Sequence, residues 1–136
     1  MSKKIIEALG TMERRINRDR RVLIVDDEPS FRRVVRESLE KLGVVCEEAG
    51  DCEEALKHAR SGPIDVCILD NRLPGVSGIM CSPQLKGVQP SMRVVLCTGF
   101  PDGITQEDLE RAGVLTLLSK PLRIDDLRQL FSDFNL

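Results

Sequence analysis

Several things are scarce in this 136-residue chain, and each scarcity removes a class of function. Positive charge is not in excess: 20 Lys and Arg stand against 22 Asp and Glu, so no surplus is available to neutralise nucleic-acid phosphates. No unbroken apolar stretch approaches the ~20 residues of a membrane span. The charged N-terminus lacks the apolar core of a secretory signal, so the expected location is the cytoplasm. His58 is the sole histidine, with no histidine or carboxylate three or four residues after it, and reads as a solvated side chain rather than a metal ligand. The five cysteines (Cys46, Cys52, Cys67, Cys81, Cys97) are odd in number and contain no CxxC pair, which argues against zinc or a disulfide framework. Cys46, Cys67 and Cys97 fall in strand-like runs, where cysteine packs as a small apolar residue; reduced core thiols are expected.

What remains is one ordinary domain, long enough to bury a core. In residues 2–20 the spacing of Ile5, Leu9, Met12 and Ile16 makes one apolar helical stripe. It reads as a leader or a helix packed on its own domain, or else as a dimerising helix or a stub linking to another domain; two heptads are marginal alone. Residues 21–136 form the main domain. Residues 21–25 are a short aliphatic run, suited to a strand buried on both faces of a parallel sheet. The run stops at Asp26-Asp27-Glu28, and Pro29 opens a helix whose apolar period ends at Gly43.

The pattern then repeats. Residues 44–49 read as a strand, and Asp51-x-x-Glu54 starts a helix that Gly62-Pro63 ends. Residues 65–69 are a strand running into Asp70. A helix is expected near Gly78, where Pro83 implies either a late start with Pro83 near the first turn or a kink. Residues 92–97 run as a strand into Thr98-Gly99. A thinly apolar, weakly held helix follows from Thr105-x-x-Asp108 to Gly113. Residues 114–118 are the fifth strand, ahead of Ser119-Lys120-Pro121, and Ile124, Leu127, Leu130, Phe131 and Phe134 mark a last amphipathic helix. Five strands alternating with helices imply an α/β fold with a parallel sheet and right-handed crossovers.

In such a sheet the carboxyl ends of all strands share one edge, where open α/β folds put their ligand sites. That edge receives Asp26, Asp27, Asp70, Thr98 and Lys120. Three carboxylates held together repel one another, and a hard divalent cation is the natural means of keeping them ionised; oxygen-only ligands favour Mg²⁺. Lysine adds a point charge for phosphate and threonine a neutral donor. Together they describe phosphoryl transfer with an aspartate as nucleophile.

Residues 25–28 (Val-Asp-Asp-Glu), 69–78 (Leu-Asp-Asn-Arg-Leu-Pro-Gly-Val-Ser-Gly), 95–99 (Val-Leu-Cys-Thr-Gly) and 118–121 (Leu-Ser-Lys-Pro) resemble, in order and spacing, the receiver domains of two-component response regulators. The resemblance spans about residues 20–134. It implies a (βα)5 flavodoxin-like fold, a three-layer sandwich with strand order 2-1-3-4-5. It also implies that Asp70 accepts a phosphoryl group from a phosphohistidine of a sensor histidine kinase or phosphotransfer protein. Asp27, Asp70 and the Arg72 backbone carbonyl would bind Mg²⁺ directly and Asp26 through water. Lys120 would pair with the acceptor and then the phosphoryl group, Thr98 would swing to a phosphoryl oxygen, Gly99 would leave room, and the Lys120-Pro121 bond would be cis. Such a chain is a switch, not an enzyme acting on a separate substrate, and its partners would be a downstream effector or a fused output domain, or a second copy.

Three features depart from or modulate that pattern. Leu117 stands where the family carries Tyr or Phe, and the chain has no tyrosine. Arg72 and Phe100 occupy variable positions beside the site, and Phe100 is expected to screen water from the phosphoryl group. Of the other readings, an aspartate-nucleophile phosphohydrolase wants a second aspartate where Arg72 stands. A pseudo-receiver, keeping the fold without phosphorylation, would lack the acceptor or the acid pair. Ending within or just after the last helix, the sequence is expected to carry no output domain of its own, whether it acts alone or as part of a larger protein.

Overall fold

The computed structural model describes residues 20–136. The helical stripe from Ile5 to Ile16, and with it the reading of the leader, lies outside the described residues. Among the described residues the strands are β1 (Arg21–Val25), β2 (Val45–Ala49), β3 (Val66–Asp70), β4 (Arg93–Thr98) and β5 (Val114–Ser119). The helices are α1 (Pro29–Glu40), α2 (Cys52–Ser61), α3 (Gly78–Val88), α4 (Gln106–Ala112) and α5 (Ile124–Asp133). All strands pair in parallel, in the order β2-β1-β3-β4-β5, as expected.

Alternation along β1 shows how the aliphatic runs build three layers. Leu23 and Val25 join one apolar cluster with Ala55 and Ala59 of α2, Cys81 and Leu85 of α3, and Leu109 and Ala112 of α4. Val22 and Ile24 join the opposite cluster with Val35 and Leu39 of α1 and Leu127, Leu130 and Phe131 of α5. The inner strand residues are essentially unexposed on both faces, which is why the strands read as unbroken apolar runs rather than alternating ones.

Helix starts follow local chemistry. Asp51 accepts the Glu54 amide at the start of α2, and the Glu54 carboxylate accepts the Gly50 amide in return. Thr105 and Asp108 form a reciprocal capping box on α4, and Gly113, at φ 73°, closes that helix in the left-handed region. The edge strand β2 is covered by charge: Glu48 pairs with Arg32 and Arg36 of α1, and Glu47 with Arg21 and His58. Burial alone would raise the Glu47 carboxyl, but its bonds to Arg21 and His58 outweigh this and hold it below the ordinary carboxylate range.

Between β4 and β5 the register slips. Val94 faces Val114, yet Val95 faces Thr116, so β5 carries one extra residue, Leu115. Leu115 and Thr116 consequently both lie toward α5, Leu115 in the cluster with Leu127 and Thr116 in a groove with Leu130 and Phe134. Beyond the bulge Leu117 returns to the α2–α3–α4 side.

Two expectations are corrected. Of the two readings of Pro83 the late start is excluded: Pro83 is the sixth residue of a helix that already begins at Gly78 and is capped by Ser77, whose side chain accepts the Met80 amide. A proline there removes one helical hydrogen bond, to the Ile79 carbonyl, at a cost of about 3 kcal/mol, and Gly87 adds about 1 kcal/mol. The second correction is chemical: Cys52 and Cys81 are joined as a disulfide, Cα atoms 5.8 Å apart, while Cys46, Cys67 and Cys97 are the free thiols expected. The pair arises because α2 and α3 pack side by side on one sheet face, a proximity that a separation of 29 residues does not announce. A bridge over such a loop is worth about 3–4 kcal/mol in the chain-entropy account, comparable with what proline and glycine cost the helix it holds.

Candidate functional site

The carboxyl ends of β1, β3, β4 and the residue after β5 converge as expected. Asp26 and Asp27 follow β1, Asp70 ends β3, Thr98 ends β4 and Lys120 follows β5. Asp26 is fully buried, Asp70 nearly so at 6% exposure, and Asp27 is exposed. One carboxylate oxygen from each lies within 4.8 Å of the others, a spacing at which one small cation could touch all three.

Lys120 crosses this acidic floor. Its Nζ donates to Asp26 Oδ2 at 2.5 Å and lies 3.5 Å from Asp70 Oδ2. The other Asp26 oxygen accepts the Glu28 amide at 2.9 Å, so both oxygens of that carboxylate are engaged. The peptide bond between Lys120 and Pro121 is cis, as the resemblance implied, and the Lys120 amide donates to the Thr98 carbonyl at 3.0 Å, tying β5 to the end of β4. Burial acts to lower the Lys120 pKa, but Asp26 and Asp70 outweigh it and hold the ammonium above the ordinary lysine range. Asp70 is pushed up from its ordinary value, first by burial and then by the Asp26 charge, against the pull of Lys120 and the Arg72 amide. The site thus holds a carboxylate made more basic than usual beside a cation secured in its charged form.

Asp70 is held from its C-terminal side. The Arg72 amide donates to Asp70 Oδ1 at 3.3 Å. Asn71 then clamps α3: its carbonyl accepts the Gly78 amide and its side-chain Oδ1 the Ile79 amide, both at 2.9 Å. Gly78 is required by this close approach, because a Cβ there would overlap the Asp70 carbonyl oxygen and lie 2.9 Å from Asn71 Cα. Gly75, at φ 77°, turns the loop between. Across the site Thr98 is buried, with its Oγ1 accepting the Phe100 amide at 3.2 Å, and a Cβ on Gly99 would meet nothing within 4 Å, so space is open there.

Residues that sequence reasoning did not single out complete the picture. Arg32 donates through Nη1 to the Asp26 carbonyl at 2.5 Å while its Nε holds Glu48. The Phe31 ring lies 4.1 Å from Lys120 Nζ, a cation–π contact that supports the ammonium from its apolar side. Both sit in the first turn of α1, so their distance from Asp26 along a helix was the available signal. The Arg72 side chain stacks over the exposed Phe100 ring at 3.7 Å, linking the β3–α3 and β4–α4 loops above the site.

Known proteins match this arrangement. The response regulator receiver domain, as a sequence family, matches residues 22–132. Sporulation initiation phosphotransferase F of Bacillus subtilis (strain 168) is 29% identical over 108 residues, covering 79% of this chain and 87% of that protein. The sensor histidine kinase RcsC of Salmonella typhi is 28% identical over 130 residues; they make up 94% of this chain, which spans 14% of that protein's length. Among solved structures, the response regulator protein TrrA from Thermotoga maritima in complex with Mg(2+)-BeF is 30% identical, with a TM-score of 0.73 over 84% of this chain and 97% of that one. A response regulator protein from Burkholderia pseudomallei with a phosphorylated aspartic acid, calcium ion and citrate is 25% identical, with a TM-score of 0.76 over 86% of this chain and 71% of that one. With its five-stranded order, its acidic cluster and a family match over residues 22–132, the chain belongs to the response regulator receiver domains.

Proposed function

We propose that the chain is a phosphorylation-controlled switch in which Asp70 takes a phosphoryl group from a phosphohistidine of a sensor histidine kinase or phosphotransfer protein. The observation that carries this reading is Lys120, lodged between Asp26 and Asp70 within a cluster of three carboxylates. An Asp70 oxygen attacks phosphorus; an acyl phosphate bond forms, the phosphorus–nitrogen bond breaks, and its electron pair stays on the departing imidazole. Lys120, already held 3.5 Å from Asp70, balances the added negative charge. The raised basicity of Asp70 favours its attack.

The donor set fits Mg²⁺: only oxygens, from Asp26, Asp27, Asp70 and the Arg72 carbonyl, with Asp27 open to solvent. When bound, the ion would neutralise charge on the carboxylates and on the phosphoryl oxygens. TrrA, solved with Mg(2+)-BeF, supports carrying this requirement over. The open space at Gly99 suits a phosphoryl group, and the buried Thr98 hydroxyl is the group we assign to bind it and to move the following loop. Leu117, partly buried against the α2–α3–α4 cluster, has no ring hydroxyl to report that movement, which leaves Thr98 and its loop as the reporting element.

No helix among the described residues is long and apolar enough to cross a membrane. We place the chain in the cytoplasm, passing its signal to an effector protein or a fused output domain. Hydrolysis of a separate phosphate ester is disfavoured because Arg72, engaged with Phe100, occupies the place a general-acid aspartate would need. A phosphorylation-free binding module is disfavoured by the intact acidic triad. The test is incubation with Mg²⁺ and a small phosphodonor, followed by intact mass. A one-phosphate adduct that disappears in Asp70→Ala is expected; no adduct, or one that survives the substitution, refutes the assignment.

A further inference from the structure

We propose that Cys52 and Cys81 form a redox-modifiable site, a second covalent control apart from Asp70, in which making or breaking their bond sets the order of α3 and thereby the position of the acceptor loop. Three independent observations lead there. First, the two sulfurs meet only because α2 and α3 lie side by side: Cys52 is the first residue of α2 and Cys81 the fourth of α3. Second, α3 is poorly equipped to hold itself. Gly78, Pro83 and Gly87 weaken it, and its first turn carries no acid to complement the helix dipole. Third, that same first turn grips the acceptor loop, through the Gly78 and Ile79 amides on Asn71, and the Cys81 amide closes the turn on the Ser77 carbonyl at 2.8 Å. A bond on Cys81 therefore anchors the very turn that fixes the residue after Asp70.

The other thiols do not compete. Burial pushes Cys46 and Cys97 up to about 12 and Cys67 higher still, so they stay protonated and unreactive. Both sulfurs are buried, Cys52 at 5% exposure and Cys81 at 0%, so an oxidant reaches Cys52, the less enclosed of the two, when the weakly held α3 opens locally. In a compartment that keeps thiols reduced, a pair able to close is a responsive element rather than a permanent staple.

The oxidant is a small peroxide. The Cys52 sulfur attacks one oxygen of hydrogen peroxide, the oxygen–oxygen bond breaks, and a sulfenic acid and one water result. The Cys81 thiol then displaces the sulfenic oxygen as a second water, forming the sulfur–sulfur bond; peroxide has gained the two electrons the thiols lost. A dithiol reverses this, its first thiolate attacking Cys52 and expelling Cys81 as thiolate, its second thiolate releasing Cys52 and closing the reductant into its own disulfide.

The functional half of this inference rests on Asp70 as acceptor; the redox half does not, and one experiment separates them. The full chain, treated with peroxide or with a dithiol, is compared by intact mass, by hydrogen exchange of the α3 amides, and by adduct formation from a small phosphodonor with Mg²⁺. Peroxide should remove two hydrogen masses in wild type and not in Cys52→Ala. On reduction the amides of α3 should exchange about tenfold faster, and the adduct should form about fivefold more slowly. Cys52→Ala should match the reduced protein under both treatments. No mass change, or α3 exchange independent of treatment, overturns the redox site. Altered exchange with an unaltered phosphorylation rate overturns its coupling to Asp70. Absence of an adduct in every state overturns the acceptor reading, and with it the coupling, while mass and exchange still judge the thiol pair.

Discussion

Replacing Lys120 by methionine (Lys120→Met) removes the one ammonium shared by Asp26 and Asp70 while keeping a side chain of similar length. Asp26 is fully buried and its Oδ2 accepts from Lys120 at 2.5 Å; the Asp70 carboxylate is 3.5 Å away. At an effective dielectric constant near 20, the attraction to Asp70 alone is about 5 kcal/mol before desolvation is counted. Burying the ions offsets much of that, yet removing one partner of a buried pair costs about 3–5 kcal/mol, because the other charge is left stranded. Lys120 keeps 18% of its side chain in solvent, so the lower end applies, and we expect a loss of about 3 kcal/mol at pH 7 without Mg²⁺. The assay is urea denaturation, read as a fall in midpoint at constant slope.

The pH dependence is directional. A lysine with a raised folded pKa contributes stability that is complete below its unfolded value and lost as pH rises through the folded one. The wild-type advantage is therefore full at neutrality and fades only in alkali. It shrinks in acid for a different reason: Asp70, whose carboxyl is already raised, takes up a proton above the ordinary carboxylate range, and a neutral carboxyl no longer needs the ammonium. Adding Asp26→Asn to Lys120→Met should recover part of the loss, since the fully buried carboxylate is then gone and only Asp70 is left without its ammonium. A deficit below about 1 kcal/mol at pH 7, or one that does not shrink in acid, refutes the reasoning.

Phe100→Ala should speed loss of the phosphoryl group several-fold by removing the ring over which Arg72 stacks and opening the site to water. The decay of the one-phosphate adduct after donor removal measures it, and an unchanged or slower decay sinks the idea. Gly78→Ala should cost about 2–3 kcal/mol in chemical denaturation, because the new methyl group overlaps the Asp70 carbonyl oxygen and must push α3 from its clamp on Asn71. A cost under about 0.5 kcal/mol would mean the approach is looser than the structure has it.

The outline of the fold was legible because its strands are short aliphatic runs that end in charge. Asp26, Asp70 and Thr98 could be assigned to one sheet edge from position alone, and the structure brings Asp26, Asp27, Asp70 and Lys120 together there. What could not be read depends on how elements pack. The Cys52–Cys81 bond needs α2 beside α3, and no spacing rule spans 29 residues in two different helices. Pro83 reads as a breaker locally, yet its helix is held by Ser82, whose buried hydroxyl donates to the Ala112 carbonyl at 2.8 Å, and by Leu85 in the core. Arg32 and Phe31 looked like ordinary members of an amphipathic helix. Only the approach of α1 to the sheet edge turns one toward the Asp26 carbonyl and the other toward Lys120.

The extra residue in β5 reaches further than its local irregularity. From Thr116 onward every side chain is out of phase with the one that would follow Val114 in a regular strand, and this offset puts Ser119 against Thr98 and leaves Lys120 next in line to enter the acidic cluster. Chain length between Val114 and Lys120 is thus a coordinate of the site. Substitutions along β5 alter only what each position packs against, and losing Leu115 alone would leave a regular ladder with Leu117, Leu118 and Lys120 in place, whereas losing a second residue would turn Leu117 and Leu118 to opposite layers and draw the ammonium out of the acidic cluster. Among relatives that keep this lysine in use, this segment should therefore vary in length by no more than the bulge residue while its side chains drift.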